Sequence, residues 1–118
     1  MADLTPKEVL VKARTLIATP SNWTRSELER LDGSVCAIGA INLALGIDNQ
    51  DMQVQETYLT SKNKSALELL ASVLPTPRGW RNRPLQPELI VFSYNDKNPH
   101  ACVLAAFDAA IEKAGADD

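Results

Sequence analysis

Apolar residues recur at helical spacing in four stretches of the chain. In the first, Val9, Leu10, Ala13, Leu16 and Ile17 share one face behind Thr5-Pro6-Lys7-Glu8. Thr5 is placed to cap, Pro6 suits the first helical position and Glu8 completes a capping box. Pro20 disfavours helical geometry at Thr19, which predicts a stop near Ala18. The second stretch runs from Ser34 to Gly46. There Cys36, Ala37, Ala40, Ile41, Leu43, Ala44 and Leu45 cover most of the circumference, and only Val35, Gly39 and Asn42 leave a narrow, less apolar stripe. This pattern predicts a central helix whose small residues let neighbours approach closely. The third helix opens at Ser65, with Glu68 in capping-box position, and presents Ala66, Leu67, Leu69, Leu70, Val73 and Leu74 until Pro75 ends it. The fourth runs from Pro99 to Ala114, with Asn98 as cap and Gly115 as stop.

The intervening segments are less periodic. Residues 26–31 could form a short helix, and 52–58 fits either a strand or a helix. Leu89 to Tyr94 is aromatic and β-branched enough for a short strand or extended segment, although no partner strand is visible. The pattern therefore predicts a mostly α fold, a compact bundle of about four helices around the central apolar helix 35–45. One long Pro/Arg-rich loop projects from it. No repeat, low-complexity tract or linker divides the chain, so residues 1–118 read as one globular domain.

Composition narrows the class. The chain has 118 residues, 45% of them apolar and 23% charged, which is the balance of a folded globular domain. A net charge of −3 argues against coating nucleic acid through an overall positive field. The longest apolar run, Val35 to Leu45, is interrupted by Asn42 and is too short for a bilayer. Two cysteines without a close-spaced motif, and no signal peptide, point to a reducing cytoplasm.

Three constellations could carry chemistry. His100, the only histidine, lies on the same side of the last helix as Val103, Leu104, Phe107 and Ile111, so its ring faces the core. Cys102 points roughly the opposite way. One histidine and two separated cysteines do not supply the four ligands of a zinc site, and no metal or cofactor is expected. Cys36 near a helix N-terminus, where amides and the helix dipole stabilise a thiolate, could instead meet His100, with Asn95 or Asp96 as orienter. These are the parts of a cysteine-dependent hydrolase or transferase. The plainer reading makes Cys36 a small core residue. It also makes Asp96–His100 a buried pair that latches a loop.

The second constellation is the loop from Pro75 to Pro87, which holds Arg78, Trp80, Arg81 and Arg83, four prolines and no acid. Outside it, 9 basic residues (12 in all less these three arginines) face 15 acidic ones, so the loop is a local positive patch. Arginine and tryptophan are favoured at partner contacts, which suggests capture of an acidic face, a carboxylate or a phosphate. Nucleic-acid binding through the same loop is a weaker alternative. The third constellation is the small-residue face Cys102, Ala105, Ala106 and Ala109, suited to a homo-oligomeric contact or to cover by another segment. Trp23 should pack behind the first helix, with its indole N–H in need of a partner.

Trp23, Cys36-Ala37-Ile38-Gly39-Ala40, Asn95-Asp96, His100, Val103 and Phe107-Asp108-Ala109-Ala110-Ile111 together resemble a family of small uncharacterised proteins of bacteriophages, notably those of actinobacteria, and of some bacterial genomes. The turn between Asp96 and His100 is shorter than the Gly-containing turn of that pattern. The resemblance covers most of the chain. It implies a phage-type protein acting in a bacterial host cytoplasm, with no biochemical activity to carry over. A non-enzymatic protein that binds a host or phage macromolecule is the leading expectation.

Overall fold

The computed structural model describes residues 4–25, 27–55, 58–75 and 86–116, and these residues form six α-helices and no β-sheet. Helix α1, Pro6–Leu16, begins as its sequence dictates. The Thr5 hydroxyl accepts from the Glu8 amide, and the Glu8 carboxylate accepts from the Thr5 amide. The chain then makes a 3₁₀ turn at Pro20–Asn22 and a looped-back segment that returns on itself at residues 22–36. Within it the Thr24 amide donates to the Val35 carbonyl, the Val35 amide to Asn22 and the Cys36 amide to Leu28. Residues 27–31 lie in this loop and are not helical, which corrects the short helix expected at 26–31 over that span, while Ser26 lies outside the described residues. The turn at Gly33 takes a positive φ of 91°, and the Asp32 carboxylate accepts from the Ser34 amide and hydroxyl.

Helix α2, Ala37–Leu45, is the central element and touches α1, α3, α4 and α5. Ala37 to Asn42 are all buried, so the all-round apolar pattern is expressed as burial on nearly every side. Gly39 is indispensable to this packing: a Cβ there would collide with the Leu28 carbonyl oxygen of the returning loop. Helix α3, Asn49–Val54, is capped by Asp48. It settles the ambiguous 52–58 segment as helical as far as Val54.

Helix α4, Lys64–Ala71, has no side-chain cap at its start, so the expected Ser65/Glu68 box is not made, and the helix ends before Pro75 through two turns. Helix α5, Pro87–Lys97, contains the whole of 89–94, which corrects the strand reading there. Pro87 occupies the first turn, and Ile90, Val91 and Asn95 are buried one turn apart against α4 and α2. Tertiary burial of that face outweighs the weak β preference of its residues. Helix α6, His100–Ala116, runs through Gly115 instead of stopping there. The expected cap Asn98 turns back, its side chain donating to the Tyr94 carbonyl of α5.

The core is filled by Leu10, Ile17, Ile38, Ile41, Leu67, Leu70, Val91, Val103 and Phe107, all at most 2% exposed. Among the described residues no helix is long and apolar enough to cross a membrane.

Candidate functional site

The four residues expected to carry chemistry, Cys36, Asn95, Asp96 and His100, lie at the start of α2, on the C-terminal half of α5 and at the start of α6. Asn95 is the centre. It is 1% exposed, and its side-chain carbonyl accepts two N–H groups, the indole Nε1 of Trp23 at 2.6 Å and the Ala37 amide at 3.1 Å. Its amide nitrogen donates to the Thr24 carbonyl at 3.1 Å and to the Asp96 carboxylate at 3.3 Å. Two acceptor and two donor positions are the whole capacity of an asparagine side chain, and all are spent. The Ala37 amide is one of the orphan donors at the N-terminus of α2. Asn95 thus fastens α5 to the start of α2 and to the loop that follows α1, and it supplies the partner that the Trp23 indole requires.

Cys36 is the N-cap residue of α2, which begins at Ala37 and not near Ser34 as the sequence pattern suggests. Its Sγ accepts from the Gly39 amide at 3.4 Å. The side chain is 1% exposed, and burial pushes the thiol up to about 12, against smaller lowering effects of the Gly39 and Ile38 amides; the nearby Asp96 charge raises it further. The helix N-terminus acts in the expected direction, but desolvation of a thiolate in this core outweighs it. At neutral pH the group is a thiol.

His100 turns Nε2 to the Ile17 carbonyl oxygen at 2.6 Å, and because a carbonyl only accepts, Nε2 carries the proton. The partner of Nε2 is the end of α1. Ile17 is the C-cap of α1, so the ring satisfies one of the carbonyls that a helix end leaves unpaired. The ring lies tilted against Trp23, centroids 5.4 Å apart, while the Arg25 guanidinium sits 5.1 Å from the Trp23 ring centroid and donates to the Asn98 carbonyl. Stacked in this way, Arg25, Trp23 and His100 close the corner between α1, α5 and α6.

A second polar cluster escaped the sequence pattern. Asn42, Asn49 and Asn63 are 0%, 1% and 0% exposed. Asn42 donates to the Asn49 side-chain oxygen at 2.9 Å and accepts from the Asn63 amide at 2.9 Å. Asn49 also donates to the Gly39 carbonyl and to Glu29, and Asn63 donates to the Tyr58 carbonyl and accepts from the Thr60 amide. Asn42 marked a less apolar stripe in an apolar helix, but Asn49 and Asn63 lie in polar surroundings and carried no signal. The Glu29 carboxylate is part of this cluster, accepting from the Asn49 side chain.

The basic–aromatic residues Arg78, Trp80, Arg81 and Arg83 lie outside the described residues. Of the small-residue face on α6, Ala105 and Ala109 are exposed and Cys102 is half-buried, but Ala106 is 8% exposed and belongs to the core, so the expected contact face is narrower than its spacing suggests. Among the described residues no group of three or more His, Cys, Asp or Glu side chains could hold a metal ion.

No curated protein and no solved structure matches this chain. Residues 1–113 match the model of a family described as a family of unknown function, DUF6197. That span takes in α1 to α5, most of α6 and every residue of both polar clusters, and the chain belongs to the DUF6197 family.

Proposed function

We propose that this chain is a non-enzymatic binding protein of a bacterial cytoplasm, phage-encoded or derived, that engages a host or phage macromolecule through Arg78, Trp80, Arg81 and Arg83. The observation that carries this reading is the fate of the Cys36–Asn95–His100 constellation. The thiol is sealed and protonated, the asparagine is fully spent on holding three segments, and His100 gives Nε2 to a helix end. The residue types that could have made a nucleophilic site are consumed as a latch. The strongest remaining concentration of recognition chemistry is then the arginine–tryptophan segment, the local positive patch of an acidic chain.

The test compares the chain with its Arg78→Gln/Arg81→Gln/Arg83→Gln variant in capture from an actinobacterial lysate, with bound proteins identified by mass spectrometry. A defined protein held by the parent and lost from the variant is expected. Equal capture by both removes the segment from the interface, and capture that disappears on nuclease treatment moves the reading to nucleic acid. Iodoacetamide labelling at neutral pH addresses the hydrolase alternative: Cys36 should react only as fast as the chain opens. Labelling faster than opening would return Cys36, His100 and Asp96 to candidacy as a nucleophilic site.

A further inference from the structure

Leu31 is the most exposed large apolar side chain among the described residues, wholly open to solvent. A lone surface leucine is ordinary, but this one stands at the tip of a turn that the fold pins from several sides. The Arg30 amide donates to the Ser34 carbonyl and the Gly33 amide to the Arg30 carbonyl, both at 2.9 Å. The Asp32 carboxylate holds the Ser34 amide and hydroxyl, and Gly33 takes the positive φ that closes the turn. Behind the tip, the Gln53 side chain of α3 accepts from the Leu28 and Glu29 amides and donates to the Glu29 carbonyl. A leucine on a backbone already fixed needs little further ordering to be buried against a second surface.

The chain also carries a surface of matching chemistry. Tyr58, Leu89, Phe92 and Ser93 line an open, almost wholly apolar groove of about 310 Å³. Phe92 and Tyr58 meet edge to face there, ring centroids 5.3 Å apart. Leu31 is wholly exposed, so it does not fill the groove of its own chain. Charge agrees with the shape. Around Leu31 the acids Glu27 and Asp32 outnumber Arg30, which pairs with Glu27 at 3.7 Å, so the tip is net negative. Lys97 is exposed one turn beyond Ser93 on the same face of α5 and gives the groove a cationic end. We propose that Leu31 of one copy of this chain seats in the groove of Tyr58, Leu89 and Phe92 of a second copy, with Asp32 toward Lys97. Knob and groove are different surfaces, so the contact is head to tail: a dimer keeps one free knob and one free groove and can extend. Centred on one side chain, the contact is weak and forms near millimolar concentration. Neither surface includes residues 78–83, so this association and the proposed role of that segment can fail separately.

The test is sedimentation equilibrium of the full chain over a concentration series reaching the millimolar range. A weight-average mass that rises with concentration is expected. Leu31→Asp, at a fully exposed position, and Leu89→Glu, in the groove wall, should each weaken association about tenfold or more while melting near the parent. Ser93→Lys, which fills the mouth of the groove, is a second groove variant should Leu89→Glu melt early. Lys97→Glu should weaken association by a smaller factor that shrinks in high salt. The deciding arm mixes the Leu31→Asp chain, which keeps its groove, with a groove variant, which keeps its knob. Together they should form a heterodimer and nothing larger. A chain that stays monomeric throughout, or one whose association survives Leu31→Asp unchanged, overturns the proposal. So does a mixture in which the two variants fail to pair, because the parent's association would then use another surface.

Discussion

Asn95 shows how much one side chain can hold. Asn95→Ala would strand the Trp23 indole N–H, the Ala37 amide and the Thr24 carbonyl at once. Each stranded buried group costs about 1–3 kcal/mol, so chemical denaturation should show a loss of about 3 kcal/mol or more. The emission of Trp23 should shift as its hydrogen bond is lost. Cys36 leads to a pH prediction. Its folded value of about 12 lies above its ordinary 9.0, so the folded chain holds a proton that the unfolded chain releases. The sign follows: the contribution is complete below pH 9 and is lost as pH rises toward 12. In that window stability should fall by about 1.4 kcal/mol per pH unit from this group alone. Tyrosines and lysines titrate there too, so the measurement is the difference between the parent and Cys36→Ser, which keeps an N-cap acceptor and should lack this slope.

At the scale of elements, two glycines of the same type have opposite roles. Gly39 lies within α2, where glycine is a poor helix former, yet any larger residue drives into the Leu28 carbonyl of the returning loop. Gly39→Ala should therefore cost about 3 kcal/mol or more, visible as a lowered denaturation midpoint. Gly115 lies within α6, and its nearest obstacle is the mobile end of Lys7, Nζ 3.2 Å from an added Cβ. Gly115→Ala should stabilise by up to about 1 kcal/mol through helix propensity. Helix α5 makes the complementary point. Its residues favour neither element strongly, and α4 and α2 decide the matter by burying Ile90, Val91 and Asn95 on one face.

For the whole molecule, the two asparagine-centred clusters work as fasteners around α2. Asn95 holds its beginning to α5 and to the loop after α1; Asn42, Asn49 and Asn63 hold its second half to α3 and to the turn before α4. A polar network in a core specifies one arrangement because a shifted helix leaves several groups unpaired together. Its members should be coupled. A double-mutant cycle of Asn42→Ala and Asn63→Ala should return an interaction energy of about 1 kcal/mol or more, whereas Asn42→Ala and Asn95→Ala should add more nearly independently. Additive costs for the Asn42–Asn63 pair would show that the two act separately.

Much of the fold was legible because it rests on local physics. The Thr5–Glu8 box, the all-round apolar pattern of α2, its Gly46 ending and the inward face of His100 each follow from residues within a turn or two of one another. The central helix was placed correctly for that reason. What was not legible depends on residues distant in the chain. Asn95 and Trp23 are 72 positions apart, and His100 and Ile17 are 83 apart. Leu89 to Tyr94 became helical through its neighbours, and Gly115 did not stop α6. The same division separates the candidate site from its outcome. A thiol, an imidazole and an Asn-Asp pair in a mostly helical domain can be read from the residues alone. That the thiol is desolvated and the imidazole bound to a helix end follows from packing, because burial and hydrogen-bond partners arise when distant segments meet.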